Sequence, residues 1–152
     1  MGKEIERKFL LAKGTSIPIP DNFVKYEIKQ GYVFAEKGKQ VRVRLTKGKA
    51  ILCIKFTGGF IRDEYEYEIP VKEGKEIYAK CTSKLEKHRL SFTVGNQTYD
   101  VDSYPNKITF VEVEFKSMKA AKKWKKPRWI GKEITGVGKY SNILLAKKKL
   151  KF

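Results

Sequence analysis

Acidic and basic side chains recur along this sequence as pairs two residues apart, and each pair carries a single sign. Glu4 and Glu6 lead into Lys8, then come Arg42 with Arg44, Glu64 with Glu66, Lys87 with Arg89, Asp100 with Asp102, and Glu112 with Glu114. Lys55 stands alone in the otherwise apolar run ILCIKF. A spacing of two puts both members of a pair on one face of a β-strand, because successive side chains point to opposite sides. The other face is mainly apolar: Ile5 and Phe9, Val41 and Val43, Tyr65 and Tyr67, Tyr99 and Val101, Val111 and Val113, with His88 and Leu90 opposite Lys87 and Arg89.

A charged face on a half-buried sheet can simply meet water. Two features argue otherwise. The signs are segregated by strand, where a solvating face would mix Lys and Glu with Ser and Thr. The basic pairs also draw on Arg although Lys predominates in the chain, and Arg is the residue that grips phosphate with two parallel hydrogen bonds. If these faces turn toward one interior, like charges repel unless counter-ions neutralise them. A hard divalent cation bound through oxygen would balance the carboxylates, and phosphates would balance the Arg and Lys side chains. The chemistry this suggests is metal-assisted attack of water on a polyphosphate.

Other nucleophiles compete poorly. Cys53 and Cys81 lie outside every charged pair and lack metal-ligand spacing, so they read as buried, reduced thiols. His88 falls on the face opposite Lys87 and Arg89 and reads as structural. The run Gly136-Val137-Gly138-Lys139 is too short for a phosphate-binding glycine loop and lacks its following Ser or Thr.

The elements that must position these pairs are strands, expected at 3–12, 25–34, 40–46, 50–57, 63–70, 85–94, 97–103 and 109–116. Turn chemistry separates them at Gly38, Gly48, Gly58-Gly59, Gly95-Asn96 and Pro105-Asn106. Helices are expected over 71–83, 117–125 and 140–150. Eight strands with few helices imply an antiparallel sheet, a sandwich or a barrel. An eight-stranded barrel has an interior just wide enough for side chains or one small ligand.

At 152 residues and 41% hydrophobic content, the chain is expected to form one domain, 1–152, with a core of its own. No segment approaches the ~20 apolar residues of a membrane helix. The opening MGKEIERKF carries charge where a signal peptide is apolar, so the expected compartment is the cytoplasm. The net charge of +17 implies a polyanionic partner. Most of it sits from Lys116 onward, where thirteen basic residues meet one acid, Glu133. Trp124 and Trp129 interleave with those lysines. The expectation there is a solvated helix face with the Trp pair packed on an outer wall; the alternative is sequence-blind binding of nucleic acid through stacked bases. The oligomeric state, monomer or homodimer, stays open.

The ordered set of motifs resembles the CYTH superfamily, the triphosphate tunnel metalloenzymes. Glu4-x-Glu6-x-Lys8 is similar to the family's ExExK signature. Gln30-Gly31-Tyr32, Arg42-x-Arg44, Lys55, Glu64-x-Glu66, Lys87-x-Arg89, Asp100, Glu112-x-Glu114 and Lys139-Tyr140-Ser141-Asn142 follow in the family's order. The resemblance implies a mainly β (α+β) fold: an eight-stranded antiparallel closed barrel forming a tunnel, with a few helices outside and one at the C-terminus. It implies that Lys8, Arg42, Arg44, Lys55, Lys87 and Arg89, with Tyr32, bind a triphosphate. Glu4, Glu6, Asp100, Glu112 and Glu114 would hold Mg²⁺ or Mn²⁺. Glu64 and Glu66 would hold a second metal or orient the attacking water, making Glu4, Glu6, Lys8, Glu64 and Glu66 the catalytic set. Glu68 and Asp102 are read as rim residues. The implied reaction is hydrolysis of inorganic tripolyphosphate. Alternatives on the same tunnel are a nucleoside or thiamine triphosphatase, an adenylate cyclase, or a non-catalytic polyphosphate- or nucleic-acid-binding module. The family's last motif usually has an acid and an Arg where this chain has Gly136-Val137-Gly138-Lys139, which bears on how the last helix is anchored.

Overall fold

The computed structural model describes residues 2–56, 60–148 and 152. Eight strands form the barrel: β1 (Gly2–Leu11), β2 (Val24–Glu36), β3 (Lys39–Thr46), β4 (Lys49–Phe56), β5 (Ile61–Ile69), β6 (Ser83–Val94), β7 (Gln97–Ser103) and β8 (Thr109–Glu114). They pair antiparallel in the order β5-β4-β3-β2-β6-β7-β8-β1, and β1 returns to β5 to close the ring. Gly38, Gly48 and Gly95 supply the left-handed backbone at three of the hairpin turns. The turn expected at Gly58-Gly59 lies outside the described residues.

A ninth strand, β9 (Ile130–Glu133), pairs with the end of β1 and was not expected from the sequence. Its four residues are too few to show an alternation. Gly131 sits in it because the Leu11 carbonyl oxygen would lie only 2.7 Å from a Cβ there. Across this seam Arg7 grips Glu133 with two hydrogen bonds, of 2.9 and 2.6 Å, and donates a third to the carbonyl of Ala121.

Alternation sends the apolar faces outward, so the larger core lies outside the ring. Phe9, Phe92, Tyr99, Val101, Val111 and Val113 are buried there beneath Ala121, Trp129 and Ile130. Helix α2 (Met118–Lys123) is capped by the Ser117 hydroxyl, which accepts from Ala120 N–H. Trp124 donates its indole N–H to the Tyr99 hydroxyl at 3.1 Å, and Trp129 tilts against Phe92 and Tyr99. Both indoles are therefore wall-packing residues, while Lys116, Lys119, Lys122, Lys123, Lys125, Lys126 and Arg128 around them are exposed.

A second apolar cluster, Tyr32, Leu85, Tyr104, Phe110, Ile134, Leu145 and Ala146, fills one end of the barrel. Helix α3 (Asn142–Lys147) follows a 3₁₀ turn at Gly138–Tyr140 and packs against β6 and β2. The Ser141 hydroxyl caps α3 by accepting from Leu144 N–H, and Tyr104 donates its hydroxyl to Asn142. Those two bonds anchor the helix in place of the acid and Arg that the family pattern led one to expect. The part of the expected 140–150 helix beyond Lys148 lies outside the described residues.

Helix α1 (Val71–Lys80) lies across β3 and β4. It comes so close that a Cβ on Gly74 would stand 2.2 Å from that of Ala50. Gly74→Ala is therefore expected to lower thermal stability by about 1–3 kcal/mol through overpacking. An unchanged melting temperature would mean that α1 can lift off the barrel freely.

Candidate active site

Residues directly opposite one another in an antiparallel pair share a face, so the register alone assembles the interior. Glu6 stands opposite Glu114, and Glu112 stands opposite both Lys8 and Asp100. Lys55 faces Glu64, Cys53 faces Glu66 and Arg42, and Glu4 faces Arg62. Tyr32 faces Arg42, Gln30 faces Arg44, and Arg89 faces Asp102. The pairs read from the sequence thus point inward together. Glu4, Glu6, Lys8, Tyr32, Arg42, Arg44, Lys55, Glu64, Glu66, Lys87, Arg89, Asp100, Glu112 and Glu114 all line one cavity of about 540 Å³.

Within it carboxylates and cations interleave. Glu4, Glu6 and Glu114 each offer an oxygen lying within 4.8 Å of the others. Glu6 sits deepest, and burial with the neighbouring Glu112 and Glu4 charges pushes its carboxyl up to about 8. Burial beside Asp100 and Glu6 raises that of Glu114 to about 7. Burial and a hydrogen bond with Glu64 raise Glu4 as well, against the pull of Lys55. An all-oxygen cluster that suffers from its own repulsion is what a hard divalent cation relieves, so the residues present fit such an ion.

The cations pair with these and neighbouring carboxylates. Lys55 donates to Glu4 at 2.8 Å and lies 3.5 Å from Glu64. Arg44 lies 3.4 Å from Glu66 and Arg42 lies 3.8 Å from Glu64. The buried Arg42 Nε has no hydrogen-bond partner among the described residues. Lys8 donates to the carbonyl of Tyr140 at 2.8 Å and lies over the Phe110 ring. Burial lowers the Lys8 ammonium, although Glu112 and Glu6 act the other way.

Asp100 and Glu112 line the same cavity, neighbour Glu114 and Glu6, and lie 3.2 and 3.8 Å from Arg89. Glu112 would be raised by burial and by Asp102, yet Lys8, Arg89 and Lys87 bring it below its ordinary value. Asp102 corrects the sequence reading most sharply. Far from the rim, it is wholly buried and accepts from Lys87 at 3.0 Å and from Arg89 at 2.6 and 2.8 Å. Glu68, by contrast, is exposed near Lys49 at 3.9 Å, as a rim residue should be.

Sequence reasoning also missed Arg62, which reaches Glu6 at 3.0 Å and Glu4 at 3.8 Å. Its signal was present, since Arg62, Glu64 and Glu66 share one alternating face. Gln30 and Gln40 line the cavity too, and Gln30 donates to the Tyr32 hydroxyl at 2.9 Å. His88 is exposed on the outer side and stacks on Phe152, and both cysteines are free and buried. Cys53 nonetheless faces the interior, with its sulfur within 4.8 Å of Glu64 and Glu66 oxygens.

A closed antiparallel barrel whose interior gathers an acidic cluster against a cationic wall defines the class, and the comparisons agree. The CYTH domain model matches residues 2–142, and the chain belongs to that family. It is 40% identical to an inorganic triphosphatase of Acetivibrio thermocellus over 99% of this chain and 97% of that protein. It is 31% identical to an inorganic triphosphatase of Nitrosomonas europaea, over 94% and 96%. A solved structure described as an inorganic triphosphatase superposes with a TM-score of 0.66 at 29% identity, over 95% of this chain and 94% of that one. Among the described residues, no helix is long and apolar enough to cross a membrane.

Proposed function

We propose that this chain, as a single tunnel domain spanning 1–152, is a divalent-metal-dependent triphosphatase that hydrolyses inorganic tripolyphosphate to pyrophosphate and phosphate. The observation that carries the reading is one cavity lined both by a carboxylate cluster and by Arg and Lys side chains. A triphosphate bound with a cation presents both signs of charge to such a lining. The two relatives named inorganic triphosphatases support tripolyphosphate over larger substrates.

Glu4, Glu6 and Glu114 would hold the metal, with Asp100 and Glu112 beside them completing the acidic set. Mg²⁺ or Mn²⁺ suits this all-oxygen set. When bound, such an ion neutralises phosphate charge and lowers the pKa of coordinated water. The chain's own residues do the rest. Arg42, Arg44, Lys55 and Lys8 hold phosphate oxygens from the cationic wall and fix the chain in line, which is most of what catalysis of phosphoryl transfer requires. Lys87 and Arg89 hold the far phosphate, and Tyr32 closes the wall beside Arg42. Glu64 and Glu66 orient the attacking water or take up a second cation. Burial of most of the set, Glu114 excepted, strengthens these interactions. The buried, free Cys53 and Cys81 support a cytoplasmic location, where thiols stay reduced.

The test is release of phosphate from tripolyphosphate, ATP and thiamine triphosphate, each with Mg²⁺, with Mn²⁺ and with excess chelator. Tripolyphosphate is expected to be the preferred substrate, with activity lost in chelator and restored by either ion. Activity that persists in chelator would overturn the metal-dependent reading, and a preference for ATP or thiamine triphosphate would overturn the choice of substrate.

A further inference from the structure

Among the interior charges, Asp102 is the one carboxylate with no exposure at all. It lies behind Lys87 and Arg89 rather than among the groups that face the cavity, which it does not line. Its Oδ1 accepts from Arg89 Nε at 2.6 Å, and its Oδ2 accepts from Arg89 Nη2 at 2.8 Å and from Lys87 Nζ at 3.0 Å. The two-bond edge of the Arg89 guanidinium is therefore occupied from behind. What Arg89 turns toward the cavity is Nη1, which lies 3.2 Å from Asp100. Lys87 is equally constrained, being 3% exposed in its side chain with its ammonium shared with the same oxygen.

We propose that Asp102 is a positioning residue for the substrate, holding Lys87 and Arg89 as one rigid phosphate-binding unit of net charge +1. This rests on the triphosphatase reading and deepens it.

The physical case is geometric. Two cations two residues apart on one strand repel each other, and Asp102 is bonded to both. Without that buried anion they would turn apart. An Arg held through its Nε edge also cannot rotate about its last bonds, so its remaining donor meets phosphate in one place, and little side-chain entropy is lost on binding.

The experiment compares Asp102→Asn made in three backgrounds: wild type, Lys87→Gln and Arg89→Met. Steady-state kinetics on tripolyphosphate with Mg²⁺ are read together with the Mg²⁺ concentration for half activity. In wild type and in Lys87→Gln, where Arg89 remains, Asp102→Asn is expected to lower kcat/KM by about tenfold or more with a raised KM. In Arg89→Met the same change is expected to cost less than about threefold, because the group it acts through is gone. The Mg²⁺ requirement is expected to stay within about twofold throughout, since Asp102 does not touch Glu4, Glu6 or Glu114. An equal loss in all three backgrounds, or no loss in any, overturns the proposal, as does a shift of the Mg²⁺ requirement that matches the loss of rate.

Should Asp102→Asn alone fail to fold, the two double variants decide, because each removes a cation together with the anion. Should wild type not hydrolyse tripolyphosphate, the functional reading fails, and calorimetric affinity for tripolyphosphate on the same proteins takes over. A weakening confined to the backgrounds that keep Arg89 then supports the positioning role, and a uniform affinity overturns it.

Discussion

Glu6→Gln is expected to lower tripolyphosphate turnover by about 10²–10³-fold, the usual cost of removing one preorganised transition-state contact, while the fold is kept or even strengthened. The two expectations have one cause. Glu6 is buried opposite Glu114 and close to Glu4, where three oxygens gather within 4.8 Å. In the absence of a cation that gathering costs stability, so an uncharged isostere that can still accept from Arg62 relieves it. With the substrate and its metal present, the same substitution removes a ligand from the place where charge must be neutralised. The checks are phosphate release at saturating Mg²⁺ and a thermal melt without it. Turnover within tenfold of wild type would mean that the cluster is not the metal centre. A melting temperature several degrees lower would mean that Glu6 has a structural role instead.

Arg42→Ala is expected to lower kcat/KM by a similar factor, about 10²–10³, with Arg42→Lys recovering only part of the loss. Arg42 is buried on β3 between Tyr32 and Cys53, and its Nε has no hydrogen-bond partner among the described residues. Its guanidinium stands 3.8 Å from Glu64, too far for a good bond. A buried donor left unmatched costs stability, and a phosphate oxygen in the cavity would satisfy it. Lys restores the charge but not the planar fork, so the Lys variant separates the part played by geometry from that played by charge. Full activity in Arg42→Lys would reduce Arg42 to a point charge in the wall.

Much of this was legible in the sequence because strand periodicity and charge pairing carry the same information. A pair such as Glu112 and Glu114 marks the strand, its inward face and its chemistry at once. All eight barrel strands lie within a few residues of their expected places, and every inward pair lines the cavity except that Asp102 lies behind it. The failures have physical reasons. β9 is too short to show a period, and what fixes it is the distant Arg7–Glu133 contact. Arg62 was passed over because the eye stops at like-signed pairs, whereas the register places it opposite Glu4. Alternation puts Asp102 on the inward face without fixing its depth, so it reads as a rim group. Its place opposite Arg89, deep in the β6–β7 pairing, depends on where the hairpin at Gly95 sets the register.

The closure of the ring by β1 bears on how the protein is made. β1 precedes all its partners in the chain, yet these are β5, β8 and β9, the last of them more than a hundred residues downstream. Such distant pairings give a high contact order, and chains of that kind fold on the slow side, in milliseconds to seconds. During synthesis Glu4 and Glu6 wait on an unpaired strand until Glu114 has left the ribosome. The hairpins from β2 to β5 and from β6 to β8 join neighbours in sequence and can form earlier. The carboxylate cluster is then completed in the last pairing event, so a nascent or truncated chain that lacks β8 carries most of the phosphate-binding wall but no complete place for the metal.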